Sequence, residues 1–134
     1  MISMTSIRAL ADFRHALRRF VSFSAEAARE AGISPQQHQA LLALKAWPPG
    51  SHATVGDLAA RLCIRHHSAV RFVNRLAARQ FVRRVRSGDD RRHVHLELTP
   101  SGDALINRLS ASHRDELKRV GPELRRVLRE LEAE

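Results

Sequence analysis

Over residues 5–31 the apolar positions recur at steps of three and four. Ile7, Leu10, Phe13, Leu17, Phe20 and Val21 share one stripe, which predicts a long helix. Gly32 is placed to end it as a left-handed residue. Ser34-Pro35-Gln36-Gln37 opens a second helix, with Ser34 as cap, Pro35 in the first turn and Gln37 completing a capping box. That helix carries Leu41, Leu42 and Leu44 and stops before Trp47-Pro48-Pro49-Gly50. Thr54-Val55-Gly56-Asp57 repeats the capping logic for a short helix through Leu58, Ala59 and Leu62. Cys63-Ile64-Arg65 then makes a tight turn into a helix over 66–80, with Ala69, Phe72, Val73 and Leu76 inward. Two strand-like runs follow, 82–86 and 93–98. In the second, Val94, Leu96 and Leu98 alternate with His93, His95 and Glu97. The polar run 87–92 is the hairpin tip. Thr99-Pro100 starts a last helical region whose stripe is Leu105, Leu109, Leu117, Val120, Leu124, Val127, Leu128 and Leu131, with Gly121-Pro122 predicted to break it in two.

A helix-turn-helix followed directly by a hairpin is a winged helix, so the expected fold is mainly α (α+β). The chain reads as a single domain over 1–134, with a winged helix-turn-helix lobe at 34–99 between helices at 5–31 and 100–134. Those flanking helices carry long apolar stripes with little else in a small chain to bury them. A homodimer interface built from both termini meets that need.

Charge sharpens the picture. The chain has 134 residues and a net charge of +9, and its 23 basic residues are 21 Arg with Lys45 and Lys118. Residues 61–95 hold ten Arg against Asp89 and Asp90, so about a quarter of the chain carries +8 of the charge. A basic block inside a folded lobe calls for an anionic partner, and double-stranded DNA is the first candidate. With Ala69, Val73 and Leu76 inward, the 66–80 helix turns His67, Arg71, Asn74 and Ala78 outward, with Val70 and Arg75 on the flanks. Arg can bind guanine bidentately and His can donate to its acceptors. His66 and Ser68 lie in the first turn, the part of such a helix that reaches bases. Arg83, Arg84 and Arg86 suit phosphate contacts that position rather than specify. Arg91 and Arg92 at the tip suit a narrow A·T-rich minor groove; a salt bridge of one of them with Asp90 is the competing use.

From 57 to 102 the chain reads DLAARLCIRHHSAVRFVNRLAARQFVRRVRSGDDRRHVHLELTPSG. This resembles the MarR family of bacterial winged helix-turn-helix transcriptional regulators. Four pieces carry the likeness in order: D-L-A-x-x-L at 57–62, the small-residue helix 68–76 ending in Arg-Leu, D-R-R at 90–92, and L-x-L-T-x-x-G at 96–102. The detailed likeness covers about a third of the chain. One departure stands out: Gln80-Phe81-Val82 replaces the usual Gly-Leu-Val, which asks Gln80 to turn the chain in a left-handed conformation. The resemblance implies a homodimeric, DNA-binding repressor on a pseudo-palindromic operator, relieved by a small aromatic or anionic ligand. It also implies that Asp90 and Arg92 shape the wing or meet DNA. An effector pocket would lie among the flanking helices and the lobe, where Phe13, His15, His38 and Trp47 are the candidates.

Other chemistries are poorly supported. Cys63 alone rules out a disulfide framework and is expected to be a small buried hydrophobe between Leu62 and Ile64. The adjacent His66 and His67, and His93 with His95, lack a Cys or tight carboxylate cluster, so solvated or DNA-facing His is expected, with no metal and no cofactor. No nucleophile elbow, phosphate loop or metal-ligand spacing argues for an enzyme. No apolar run approaches the ~20 residues that span a membrane, and no signal-peptide layout is present, so the expected location is cytoplasmic. The alternative function is a winged-helix module that binds protein or RNA without an effector response.

Overall fold

The computed structural model describes residues 1–86 and 93–134. Its elements are α1 (Met4–Glu30), α2 (Pro35–Lys45), α3 (Val55–Leu62), α4 (His66–Ala78), β1 (Val82–Arg86), β2 (Val94–Leu98) and α5 (Pro100–Glu132). The order is that of a winged helix between two long helices. β1 and β2 pair antiparallel in a register that sets Val82 opposite Leu98 and Arg86 opposite Val94. The expected wing tip, with Asp90, Arg91 and Arg92, lies outside the described residues.

Local chemistry sets the helix starts. Ser34 Oγ accepts from the Gln37 amide at 3.1 Å while Gln37 Oε1 accepts from the Ser34 amide at 2.8 Å. Thr54 and Asp57 make the same reciprocal pair at 3.1 and 3.0 Å. Three helix ends share one closure. After α1 the Gly32 amide donates to Arg29 and the Ile33 amide to Ala28; after α3 Cys63 donates to Ala60 and Ile64 to Ala59; after α4 Gln80 donates to Ala77 and Phe81 to Leu76. Each is a Schellman motif, which needs a left-handed residue at its pivot. Gly32 supplies it at φ 81°, but Cys63 (φ 56°) and Gln80 (φ 61°) adopt it with a side chain. Cys63 is therefore exposed at the turn rather than buried between its apolar neighbours, correcting the expectation.

The core joins the lobe to the first turns of α5: Leu41, Leu58, Val73, Leu76, Val82, Leu96, Leu105, Ile106 and Leu109 are all buried. Two readings of the flanking helices change. First, α5 is a single helix through Pro122. Proline removes one backbone bond, yet Val120 and Val127 on either side of it are buried and Arg126 bonds Asp12 of α1 at 3.2 Å. Packing on both flanks outweighs the lost bond. Second, the fully buried positions of α1 are small residues, with Phe20 and Phe23 half-buried at its far end. Ser6, Ala9, Ala16 and Ala28 are buried, whereas Ile7, Leu10, Phe13, Leu17 and Val21 are 36–57% exposed. On α5, Leu117 and Leu128 are exposed too, while Val127 is buried within the chain.

The junction of lobe and α5 is tight. Thr99 Oγ1 accepts from the Gly102 amide at 3.0 Å, capping α5, and donates to the Gln80 carbonyl at 2.5 Å. The Thr99 amide donates to the Phe81 carbonyl at 3.1 Å. Gly102 is where the Phe81 backbone comes so near α5 that no Cβ fits. The L-T-x-x-G run is thus a clamp between the end of the 66–78 helix, β1 and α5.

Candidate nucleic-acid interface

Helix α4 buries Ala69, Val73 and Leu76 completely. The opposite face is the expected one: His66, His67, Arg71, Asn74 and Arg75 are exposed, and Ser68 is half-buried in the first turn. Beside this row runs β1, with Arg83, Arg84 and Arg86 exposed. A side-chain hydrogen bond links the two elements, Arg84 Nη2 donating to Asn74 Oδ1 at 2.6 Å. The Asn74 amide is left with its NH2 to offer, and Arg84 is drawn onto the helix face. Arg83 is committed elsewhere: its guanidinium holds Glu97 Oε2, the residue paired with it across the ladder, at 3.1 and 3.3 Å. Arg79, at the helix end, donates to the Gly32 carbonyl and stacks 4.9 Å over the Phe81 ring. These two arginines brace the lobe, and among the described residues Arg71, Arg75 and Arg86 remain on this side as exposed cations, with Arg84 held on Asn74.

The histidines divide. His66 and His67 are exposed on α4, but His95 is only 7% exposed, which corrects the expectation of a solvated or DNA-facing side chain. It lies under the loop before α3, where its ring stacks on His52 at 4.1 Å and its Nε2 pairs with Glu97 Oε1 at 3.0 Å. Strand alternation predicts a wet face here, but the His52 ring from the loop before α3 covers it at His95. Hydrogen bonds from His95 and Arg83 hold the Glu97 carboxyl below the usual carboxylate range.

A cavity of about 670 Å³ opens between α1, α2 and α5, walled by Phe20, His38, Leu42, His113 and Leu117 with Lys118 and Arg125 at its edge. Of the four residues expected in a pocket, this one takes His38. Phe13 and His15 are exposed on α1, and Trp47 lines a different cleft with Pro48 and His52. The residue missed by sequence reasoning is His113. The Leu109 carbonyl can only accept, so the Nδ1 of His113, 2.7 Å away, carries a proton, and its Nε2 pairs with Ser24 Oγ at 2.8 Å. The His113 ring meets Phe20 and Phe23 edge-on and His38 at 4.7 Å. His38 is 2% exposed and its Nδ1 has no partner. Burial, and then repulsion from His113, lowers its pKa, so a neutral ring is held there. Its i, i+4 spacing to the α5 residue Leu109 placed His113 on the core stripe's edge, but only the packing of α2 reveals that it faces a histidine.

Residues 31–93 match the sequence model of the MarR family. No curated protein matches the chain in sequence. Among solved structures, a single-residue variant of S. aureus MepR bound to an oligodeoxyribonucleotide superposes with a TM-score of 0.72 and 21% identity, over 83% of this chain and 79% of that one. AbsC, a MarR family transcriptional regulator from Streptomyces coelicolor, gives 0.71 and 18% over 92% and 83%. Wild-type apo MarR from E. coli gives 0.63 and 18% over 93% and 81%. The likeness therefore takes in the flanking helices as well as the lobe. Residues 31–93 therefore carry the sequence pattern of the MarR family, and the chain as a whole has the fold seen in structures of MarR family regulators.

Proposed function

We propose that this protein is a sequence-specific, DNA-binding transcriptional regulator that acts as a homodimeric repressor. The observation that carries this reading is the exposed row His67, Arg71, Asn74 on α4, continued by Arg84 through its bond to Asn74. A helix that shows donors and acceptors along one face, beside a strand of arginines, suits base-edge reading flanked by phosphate contacts. His66, Ser68 and Arg75 complete the helix contribution, Arg86 adds phosphate binding, and Arg91, Arg92 and Asp90 are assigned to the wing. The exposed apolar side chains of α1, from Ile7 to Val21, support a second subunit as their cover. A DNA partner supports a cytoplasmic location, and no described helix is long and apolar enough to cross a membrane.

The cavity supports release by a small ligand. Its walls are aromatic and aliphatic, its edge carries Arg114, Lys118 and Arg125, and no carboxylate is among its lining residues. An apolar pocket with a cationic rim suits an aromatic anion. It touches α1, α2 and α5, so a bound ligand can bias how the flanking helices hold the lobe.

The test is a footprint and mobility-shift series on DNA upstream of the gene. A two-fold dimer presents its α4 helices about 34–36 Å apart, so the site is expected to be an inverted repeat with half-sites about one turn apart. Inserting about five base pairs between half-sites should reduce binding to the random-DNA level. Arg71→Ala should lower affinity for the cognate site about 5–150-fold and relax specificity there, whereas Arg84→Ala weakens specific and random DNA alike. A protected direct repeat, indifference to the insertion, or identical profiles for the two variants would refute the reading. Unchanged affinity in Arg71→Ala would favour a protein- or RNA-binding winged helix instead.

A further inference from the structure

His52, His95 and Glu97 lie away from the α4 face and take no part in the function proposed above. Their potential ligand atoms all lie within 4.8 Å of one another. They come from two segments 43 residues apart, His52 in the loop before α3 and the other two at alternate positions of β2. The segments are joined by backbone, since the Leu96 amide donates to the Ala53 carbonyl at 2.7 Å. That bond fixes the loop as an extra edge on β2 and sets His52 over His95. We propose that His52, His95 and Glu97 form a binding site for a divalent transition-metal cation of the zinc class, which staples the loop before α3 to the second wing strand.

The donor set decides the class of metal. Two imidazoles and one carboxylate suit zinc with an open fourth position and suit nickel or cobalt nearly as well, whereas magnesium and calcium demand oxygen ligands. The ligand atoms of a tetrahedral zinc site are roughly 3.4 Å apart, given bonds of about 2.0–2.2 Å. The cluster is within an ångström-scale adjustment of that. His95, buried, and Glu97, gripped by Arg83, are already held, so the adjustment falls to His52, which is exposed and can turn. Arg83 binds Glu97 through Oε2 and leaves Oε1 aimed at His95. A carboxylate oriented by a hydrogen-bonding partner is what a metal ligand needs around it. The cation would enter where His95 Nε2 now bonds Glu97 Oε1, the Nε2 proton leaving to solvent while Nδ1 holds the neutral ring's proton, and that contact is exchanged for two metal bonds. Access comes from the adjoining cleft of about 380 Å³ lined by Trp47, Pro48, His52 and Glu97, which also has room for a water as fourth ligand.

Trp47 gives the site a reporter, because it is the chain's one tryptophan and shares the cleft with His52. Metal-free full-length protein is titrated with Zn2+ by calorimetry and by Trp47 fluorescence, with Mg2+ as the oxygen-loving control. The expected result is one equivalent per chain with micromolar or tighter affinity, a raised Tm with Zn2+, and no response to Mg2+. Co2+ should give the intense visible bands of a tetrahedral complex. His52→Ala, an exposed change that leaves the core intact, and Glu97→Gln should each weaken zinc binding at least tenfold. The pair His66→Ala, His67→Ala and the single His113→Ala should leave it within twofold. No saturable binding below about 100 µM would overturn the proposal. So would affinity retained by His52→Ala, or affinity lost in the His66/His67 or His113 variants.

Discussion

Replacing Gly102 by alanine is the sharpest perturbation of the clamp between lobe and α5. On helix propensity alone it should stabilise, by about 1 kcal/mol, because Gly is the poorer helix former. The geometry argues the reverse. A Cβ at 102 would sit 2.9 Å from the Phe81 carbonyl carbon and 3.2 Å from its Cα, and closer still to the carbonyl oxygen. Carbon atoms pack at about 3.5–4.0 Å, so β1 and α5 must part by at least about 0.6 Å. The neighbour is backbone on both sides and cannot swing away. Parting them strains the Thr99 amide bond to Phe81 and the Thr99 hydroxyl bond to Gln80. Two hydrogen bonds at about 0.5–1.5 kcal/mol each, with overpacking at about 1–3 kcal/mol, exceed the propensity gain. The net expectation is a loss of about 2–4 kcal/mol. Urea unfolding at one fixed protein concentration measures it, and with m of about 1–3 kcal/mol/M the midpoint should fall by at least about 0.7 M. DNA affinity should fall as well, since α4 and β1 are carried on the same clamp. A midpoint that stays put or rises would refute the close-approach argument.

Gln80→Gly removes a side chain from a left-handed pivot at φ 61°. It should stabilise by about 0.5–1 kcal/mol, the left-handed penalty less the extra unfolded-chain entropy of Gly; thermal unfolding that shows a lower Tm would contradict it. His38 supplies the pH dependence. Its pKa is lowered in the fold by burial and by His113, with Arg114, Lys118 and Arg125 of α5 adding positive charge around the cavity. The folded state therefore binds fewer protons at this site than the unfolded chain does. Its contribution is fully present above the ordinary value of 6.5 and is lost as pH falls from there towards the lowered value. Unfolding free energies measured between pH 7.5 and 5.5 should drop more steeply for the parent than for His38→Gln; parallel curves would count against it.

What was legible in the sequence was whatever is local. The capping boxes at Ser34 and Thr54, the Pro at the start of α2 and α5, and the inward set Ala69, Val73 and Leu76 are short-range patterns, and each stands as read. Even the left-handed Gln80 followed from a missing Gly. The misreadings of His95 and Pro122 share a cause, in that each depended on a segment distant in sequence, whereas that of Cys63 lay in the closure of its own helix. His95 looked solvated because strand alternation does not announce that a loop some 40 residues earlier will cover its face. Cys63 looked buried because Leu62 and Ile64 flank it, yet the backbone closure of α3 points it outward. Pro122 looked like a break because its cost is local while the compensating contacts, through Asp12 and the buried Val120 and Val127, are tertiary.

The long helices show the same division most clearly, and they bear on function. A stripe of large apolar residues reads as the side a helix buries, but α1 presses Ser6, Ala9 and Ala16 inward and leaves Leu10, Leu17 and Val21 out. Small residues let α1 and α5 approach closely, and the large ones are then available to a second subunit. In the proposed dimer such a helix has two packed faces, one within the chain and one between chains. Helix α5 likewise has two duties: its first turns hold the winged lobe through Thr99 and Gly102, and its far end is tied to α1 through Arg126. The cavity lies along its middle, between those two attachments. A ligand there would meet an element that joins the proposed subunit contact to the proposed DNA-reading lobe. A shift of α5 by a fraction of an ångström at His113 would be carried to both α4 helices of a dimer at once, and the spacing they present to DNA is the quantity an operator of fixed geometry measures.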